Sequence, residues 1–452
     1  MQKGKSSMKG YYGVTFIIGL GFFTMGLMDP LYDTYVPMFL TNYLRSDGIV
    51  GLIMGIDNLF ALLLIPIVSA LSDKTRTPLG RRMPYILVTL PLTAIFFGLL
   101  PTAAVTSLAL LVIIIFFLNV FKQAARGPVV ALMPDIIPGD LRSEANGVIN
   151  TMGGIAAIVG TVFLARLYDI NITLPLFGNT LIPFPGSSVR GAGDASVGSL
   201  PFLISALLVM AVTLLLFLFI KEKKAATSLE GEERIPVMRS LKIIFTAKDK
   251  SALFILFSIL FWFVGYQGVL PWIGIYGVEF LDLTPGTAAL SAGMVGIAYA
   301  IFAIPSGMAA HRIGRKRTIR ISLIVLTVLT FIMYFHHPFT TALGVSRTFT
   351  LASFWAMLFL FGIFWVAVVT NSFPMLWQMA TFANIGIYTG LYYFFSQGAG
   401  IIGPGIAGGL RDIFGPRIIF LSAGGCTLVA FLLMGFVKRG EPEDSSIPTE
   451  TG

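Results

Sequence analysis

Cysteine is almost missing from this 452-residue chain: Cys426 stands alone, so no disulfide forms within it, and its apolar surroundings mark a small packing residue. Histidine is nearly as scarce. Of three, His336 and His337 are adjacent with no further ligands in reach of the pattern, which argues against a metal centre. Charge is the third shortage, at 12% of residues against about 25% in soluble domains, while hydrophobic residues reach 56%. That balance excludes a soluble fold. No Gly-x-x-x-x-Gly-Lys-Ser/Thr loop occurs to cradle ATP, and no nucleophile and base pair falls inside an apolar run, so no enzyme and no cofactor is expected. Short alternating segments of the β-barrel kind are lacking too.

What the chain does have is apolar runs of about twenty residues, each long enough to cross about 30 Å of hydrocarbon as a helix. Bounded by Gly, Pro and charge, they predict spans near 12–43, 48–72, 83–101, 106–132, 144–167, 200–220, 251–280, 286–309, 318–337, 348–373, 383–409 and 416–437. The first of these follows Lys3, Lys5 and Lys9 but lacks a small-residue cleavage site, so it reads as a span and not a signal peptide. The expected fold is therefore an all-α polytopic membrane protein of twelve transmembrane helices in two six-helix bundles. Residues 1–220 form the first bundle, 221–250 a charged cytoplasmic linker, 251–437 the second bundle and 438–452 a polar, disordered tail. The net charge of +9 sits in turns between apolar runs, which speaks for topology and against nucleic acid. About 23 Lys and Arg fall in the termini, even-numbered turns and linker, against about six in the alternate turns. Both termini should face the cytoplasm of a cell membrane, plasma or bacterial inner, with the Gly-, Pro- and Ser-rich loop 168–199 outside.

Ionisable side chains inside hydrocarbon cost several kcal/mol and invite a functional reading. The first span carries Asp29 and Asp33 one turn apart, with Asp29 expected near a helix end; the second carries Asp57 and Asn58. In the fourth, Asn119, Gln123 and Arg126 make a polar stripe that should face a wet cavity or another helix's charge, and Lys122 either joins it or reaches out to an interface. Arg126 is expected to pair with Asp33 or Asp57, and these three are the candidates for proton coupling. All five tryptophans lie in the second half, where Trp365, Asn371, Tyr392, Gln267 and Gln397 offer flat rings and amides. Together with Asn58, Asn119 and Gln123 they suit a pyranose, whose C–H faces stack on rings and whose hydroxyls meet amides. Small-residue pairs, Gly51 with Gly55 and Gly405 with Gly409, permit close helix contact.

The turn after the second span, SALSDKTRTPLGRRMPYIL, has a counterpart after the eighth, SGMAAHRIGRKRTIRIS, so the halves read as internal repeats. These turns resemble the Gly-x-x-x-Asp-Arg-x-Gly-Arg-Arg signature of the major facilitator superfamily. The first is similar in particular to the sucrose transporter and solute carrier 45 branch, bacterial relatives included. RGPVVALMPDIIPGDLRSEANGVIN and FGIFWVAVVTNSFPMLWQ extend the likeness to both halves. The resemblance implies a gating motif of Asp73, Arg76, Gly80, Arg81 and Arg82, with Arg142, Glu144 and Arg315 as further members. An acid at a helix end beside a cationic turn can hold two bundles together. It also implies a monomer in the lipid bilayer that moves a sugar or glycoside with a proton by alternating access. Asn119 falls where that branch expects an aspartate carrier, and Ala61 and Ile65 replace the acids of the sodium-using melibiose carriers. Antiport of sugars or amphipathic metabolites is the main alternative, and a non-transporting receptor the next.

Overall fold

The computed structural model describes residues 8–138, 141–176, 178–184, 196–222, 249–379 and 385–440. These residues form twelve long helices. The first half holds α1 (Tyr12–Thr41), α2 (Asp47–Lys74), α3 (Met83–Thr106), α4 (Leu108–Ile136), α5 (Arg142–Ile158) and α6 (Leu200–Phe219). The second holds α7 (Ser251–Leu281), α8 (Pro285–Ile313), α9 (Arg315–Ala342), α10 (Arg347–Trp377), α11 (Ile385–Phe414) and α12 (Ile418–Gly435). A wide turn, Val159–Leu164, and a tighter one, Ala165–Asp169, prolong α5. Among the described residues eleven helices, α5 counted with its prolongation, are long and apolar enough to cross a membrane.

The sequence placed every span within a few residues, with two informative differences. Helix α3 continues through Pro101 to Thr106, and α11 runs on through Arg411 to Phe414. A proline removes one backbone donor, and a charged residue costs solvation, but neither ends a helix whose other bonds persist and whose charge finds a partner. Serine or threonine caps open α2, α4, α8 and α10, where Ser46, Ser107, Thr284 and Ser346 accept from the backbone N–H three residues on. Most of the linker, 223–248, and the tail from 441 lie outside the described residues. The loop after α5 contains two short antiparallel hairpins, Thr173–Leu174 with Gly178–Asn179 and Leu181–Pro183 with Ser196–Gly198.

The helices sort into two six-helix bundles. In the first, α1 packs on α5, α3 on α4 and α6, and α2 on α4; in the second, α7 packs on α11 and α12, α8 on α10, and α9 on α10 and α12. Side chains such as Leu207, Ile304 and Phe339 stay exposed on the outer faces, as lipid requires. The two repeated turns are alike in backbone: Gly80 and Gly314 both adopt positive φ, 106° and 94°, a conformation that L side chains resist.

Between the bundles α2 meets α11 and, in the symmetric place, α5 meets α8, with α1 against α7. The contacts made by the starts of α2 and α8 lie at the end of the molecule remote from the chain termini, called here the far end. Glycine makes the first of them possible. A Cβ on Gly51 would sit 2.0 Å from the Pro404 carbonyl oxygen, and one on Gly55 would sit 2.3 Å from that of Ile401. Helix backbones therefore touch there, and the small-residue pairs noted in the sequence form a seam between bundles.

Candidate functional site

A cavity of about 220 Å³ lies between the bundles. Helix α1 supplies Asp29 and Asp33, α2 Asp57 and Asn58, α4 Gln123 and Arg126, α7 Gln267 and α11 Gln397. The apolar remainder of the wall includes Met54, Leu270 and Pro271. Eight of the residues singled out in the sequence thus converge on one space. Gly400 makes room for Asn58, because a Cβ there would fall 2.6 Å from the amide carbon.

The charge pairing differs from expectation. Lys122, not Arg126, holds the acids: its Nζ lies 3.1 Å from Asp29 Oδ1 and 3.2 Å from Asp57 Oδ2, and 4.8 Å over the Tyr32 ring. At 5% exposure it does not reach out to any interface. The reason is register: one turn of α4 separates the two cations, and the inner one faces both carboxylates. Gln123 Nε2 donates to the other Asp57 oxygen at 2.5 Å. Arg126 is exposed on the cavity wall. Asp29, expected near a helix end, lies inside α1 and lines the cavity.

Four expected substrate contacts lie behind the wall. Asn119 is fully buried and donates to the Tyr32 hydroxyl at 2.8 Å. Asn371 bonds its own helix through the Ala367 carbonyl at 2.8 Å, as amides in helix interiors often do. Trp365 stacks on Tyr266, centroids 4.2 Å apart, and Tyr392 packs on Phe373 with its hydroxyl 3.3 Å from Ser372. Sequence alone could not separate ring faces that touch a solute from rings that support one another.

Charges of the first turn are satisfied inside the first bundle. Arg82 pairs with Asp73 and, at 2.9 Å, with Asp135, and donates to Ser72 Oγ at 2.5 Å. Arg81 also binds Asp135, while Glu222 beyond α6 accepts from the Arg82 backbone N–H at 2.9 Å. Arg76 donates to the carbonyls of Asp73 and Thr75, and Arg315 to that of Pro374 at 3.4 Å. Arg142 and Glu144 open α5, and their side chains are outside the described residues. Asp73, expected to hold the bundles together, instead joins α2 to its own neighbour α3. Asp135 was missed by sequence reasoning, although its place in MPDIIPGD, at the end of a span beside a basic turn, was the available signal.

The bundles are held together by charge at the far end. Arg411 Nε lies 2.8 Å from Asp47 Oδ2 and its Nη2 3.1 Å from Glu279 Oε2, with the guanidinium 5.0 Å over the Trp272 ring. Asp412 caps α2 from across the seam: it accepts from Ser46 Oγ at 2.7 Å and from the backbone N–H groups of Asp47 and Gly48 at 2.8 and 3.0 Å. On the symmetric seam Asp169 accepts from the Gly286 N–H at 3.2 Å.

A family profile described as Major Facilitator Superfamily matches residues 14–401, with a second match over 279–452. The chain belongs to the Major Facilitator Superfamily. An uncharacterized MFS-type transporter of Bacillus subtilis (strain 168), YfmI, is 26% identical over 186 residues, which is 38% of this chain and 44% of that relative. The match thus spans less than half the length of that relative. Among solved structures the nucleoside transporter NupG superposes with a TM-score of 0.69 at 13% identity, covering 94% of this chain and 98% of its own. A bacterial homologue of the human lysosomal transporter Spinster, in an inward-facing and occupied conformation, gives 0.64 at 14% identity over 96% and 95%. The human organic anion transporter MFSD10 gives 0.58 at 16% over 93% and 98%. At these identities the likeness is one of fold.

Proposed function

We propose that this member of the superfamily is a secondary transporter that carries a sugar or other glycoside together with a proton by alternating access. One observation carries the reading: amides from both bundles, Asn58 and Gln123 opposite Gln267 and Gln397, face the carboxylates Asp33 and Asp57 across one cavity. Amides both donate to and accept from hydroxyls, so they orient an uncharged polyol, while membrane-buried acids are the groups a proton can ride. The turn SDKTRTPLGRRMPYIL, similar to the sucrose transporter branch, supports a sugar, and a structural neighbour is a transporter of nucleosides, which are themselves glycosides. Arg126 on the cavity wall supplies a charge that can approach an acid when the bundles move. With the Lys and Arg pattern read as putting the termini and linker 221–250 in the cytoplasm, the far end is the outer face, and this conformation is closed to the outside. The working unit is the monomer in the bilayer, driven by solute and proton gradients.

Purified protein in proteoliposomes, tested with mono- and disaccharides and nucleosides under an imposed pH gradient, decides the matter. Uptake of one hydroxylated solute with acidification of the lumen is expected. Asp33→Asn should keep solute counterflow, which needs no net proton movement, and lose accumulation against a gradient. Solute-driven proton movement in the opposite sense would establish antiport, and accumulation by both Asp33→Asn and Asp57→Asn would remove these acids from coupling.

A further inference from the structure

We infer that Lys122 decides which acid of the cavity exchanges a proton: it engages Asp29 and Asp57 in ion pairs and leaves Asp33 as the exchangeable site. The inference deepens the proton-coupling reading and rests on it for its role in transport. The ionisation pattern itself belongs to the protein without substrate.

The argument begins with burial. An ammonium withdrawn from water is tolerated only with compensating charge, and Lys122, 5% exposed, has it from two helices at once, Asp29 on α1 at 3.1 Å and Asp57 on α2 at 3.2 Å. Asp57 is held through both oxygens, one by Lys122 and one by Gln123 Nε2 at 2.5 Å. Both partners are donors, so a proton added to Asp57 would point an O–H at an N–H and forfeit a charge-assisted bond. Asp29 likewise faces a donor. Among the described residues no hydrogen bond or ion pair joins Asp33 to any group, although it lies one turn from Asp29 and lines the same cavity. Its charge is the one that can come and go without dissolving an ion pair.

The remaining charged or titratable groups around this cluster do not replace Lys122. Tyr32 of α1 lies beneath the ammonium with its hydroxyl accepting from Asn119; Arg126 of α4 is exposed on the cavity wall; Tyr266 of α7, near Asp33, is stacked on Trp365. Helix α11 contributes the uncharged Gln397 and Pro404 to the wall. By tying α1 and α2 to α4, Lys122 acts as a positioning residue, and its substitution should alter protonation at other residues.

Dicyclohexylcarbodiimide, an apolar reagent that reacts with protonated carboxyls, reads this pattern directly when adducts are mapped by mass spectrometry. In the wild-type protein the adduct should form on Asp33 and fade as pH rises, with Asp29 and Asp57 at background. Lys122→Gln should bring Asp29 or Asp57 up to the level of Asp33, and Lys122→Arg, which keeps the charge, should restore the wild-type pattern. Wild-type adducts on Asp29 or Asp57 equal to those on Asp33 would overturn the inference even if Lys122→Gln failed to fold. So would an unchanged pattern in a monodisperse Lys122→Gln protein. The labelling needs no substrate, so a wild type that moves solute without protons would refute symport while the adducts still judge Lys122.

Discussion

Replacing Arg411 by Gln should open the far end of the molecule. In the closed conformation the guanidinium is 1% exposed and pairs with Asp47, itself 5% exposed, and with Glu279. Removing the charge takes the Arg411 ion pair from Asp47, which is buried against the seam, at a cost of about 3–5 kcal/mol for a truncated buried pair. The positive end of the α2 dipole, where Asp47 is the first helical residue, softens that figure, so about 3 kcal/mol is the working value. In a conformation opened at this end Asp47 meets water and the penalty vanishes. The substitution therefore shifts the closed-to-open ratio by about a hundredfold. A cysteine at Leu270, on the cavity wall, in a Cys426→Ser background reports the change through its reaction with an impermeant maleimide added from the far side. Slow labelling is expected in the parent protein and labelling faster by up to that factor in Arg411→Gln. Adding Asp47→Asn removes the buried carboxylate charge and should return most of the way to the parent rate. Equal rates in the parent and Arg411→Gln, with the protein folded, would refute the assignment of these residues as the latch.

Gly51→Val tests the same seam sterically: with Pro404 oxygen 2.0 Å from the added Cβ, the far end cannot close, and overpacking of about 1–3 kcal/mol should raise labelling at Leu270→Cys without touching any charge. In the turn motif, Asp135→Asn should lower thermal stability more than Asp73→Asn, because Asp135 is 8% exposed between two arginines whereas Asp73 is 46% exposed; a larger drop for Asp73→Asn would contradict the packing described. Cysteine at Thr106, at the far end of α3, should react with external reagent on intact cells, while cysteine at Lys438 should react only after permeabilisation, and the reverse pattern would invert the topology.

Length of apolar runs and the placement of Lys and Arg determined twelve spans, their six-plus-six division and their expected orientation, because lipid forces every span to satisfy its backbone as a helix. The repeated basic turns were legible for a similar reason: a glycine with positive φ between charged ends leaves a mark in one dimension. The polar stripe of α4 was legible as a stripe, since residues three and four apart share a helical face. Which member of it meets an acid was not, because that depends on the rotation of α4 against α1 and α2, and a turn of error exchanges Lys122 with Arg126. The far-end latch was equally hidden: Asp47 and Arg411 are 364 positions apart, and only the approach of α2 and α11 over Gly51 and Gly55 brings an apparently ordinary helix end into a buried ion pair. The same holds for Trp365, Asn371 and Tyr392, whose composition announced a wall of rings and amides while packing within the second bundle set them behind it.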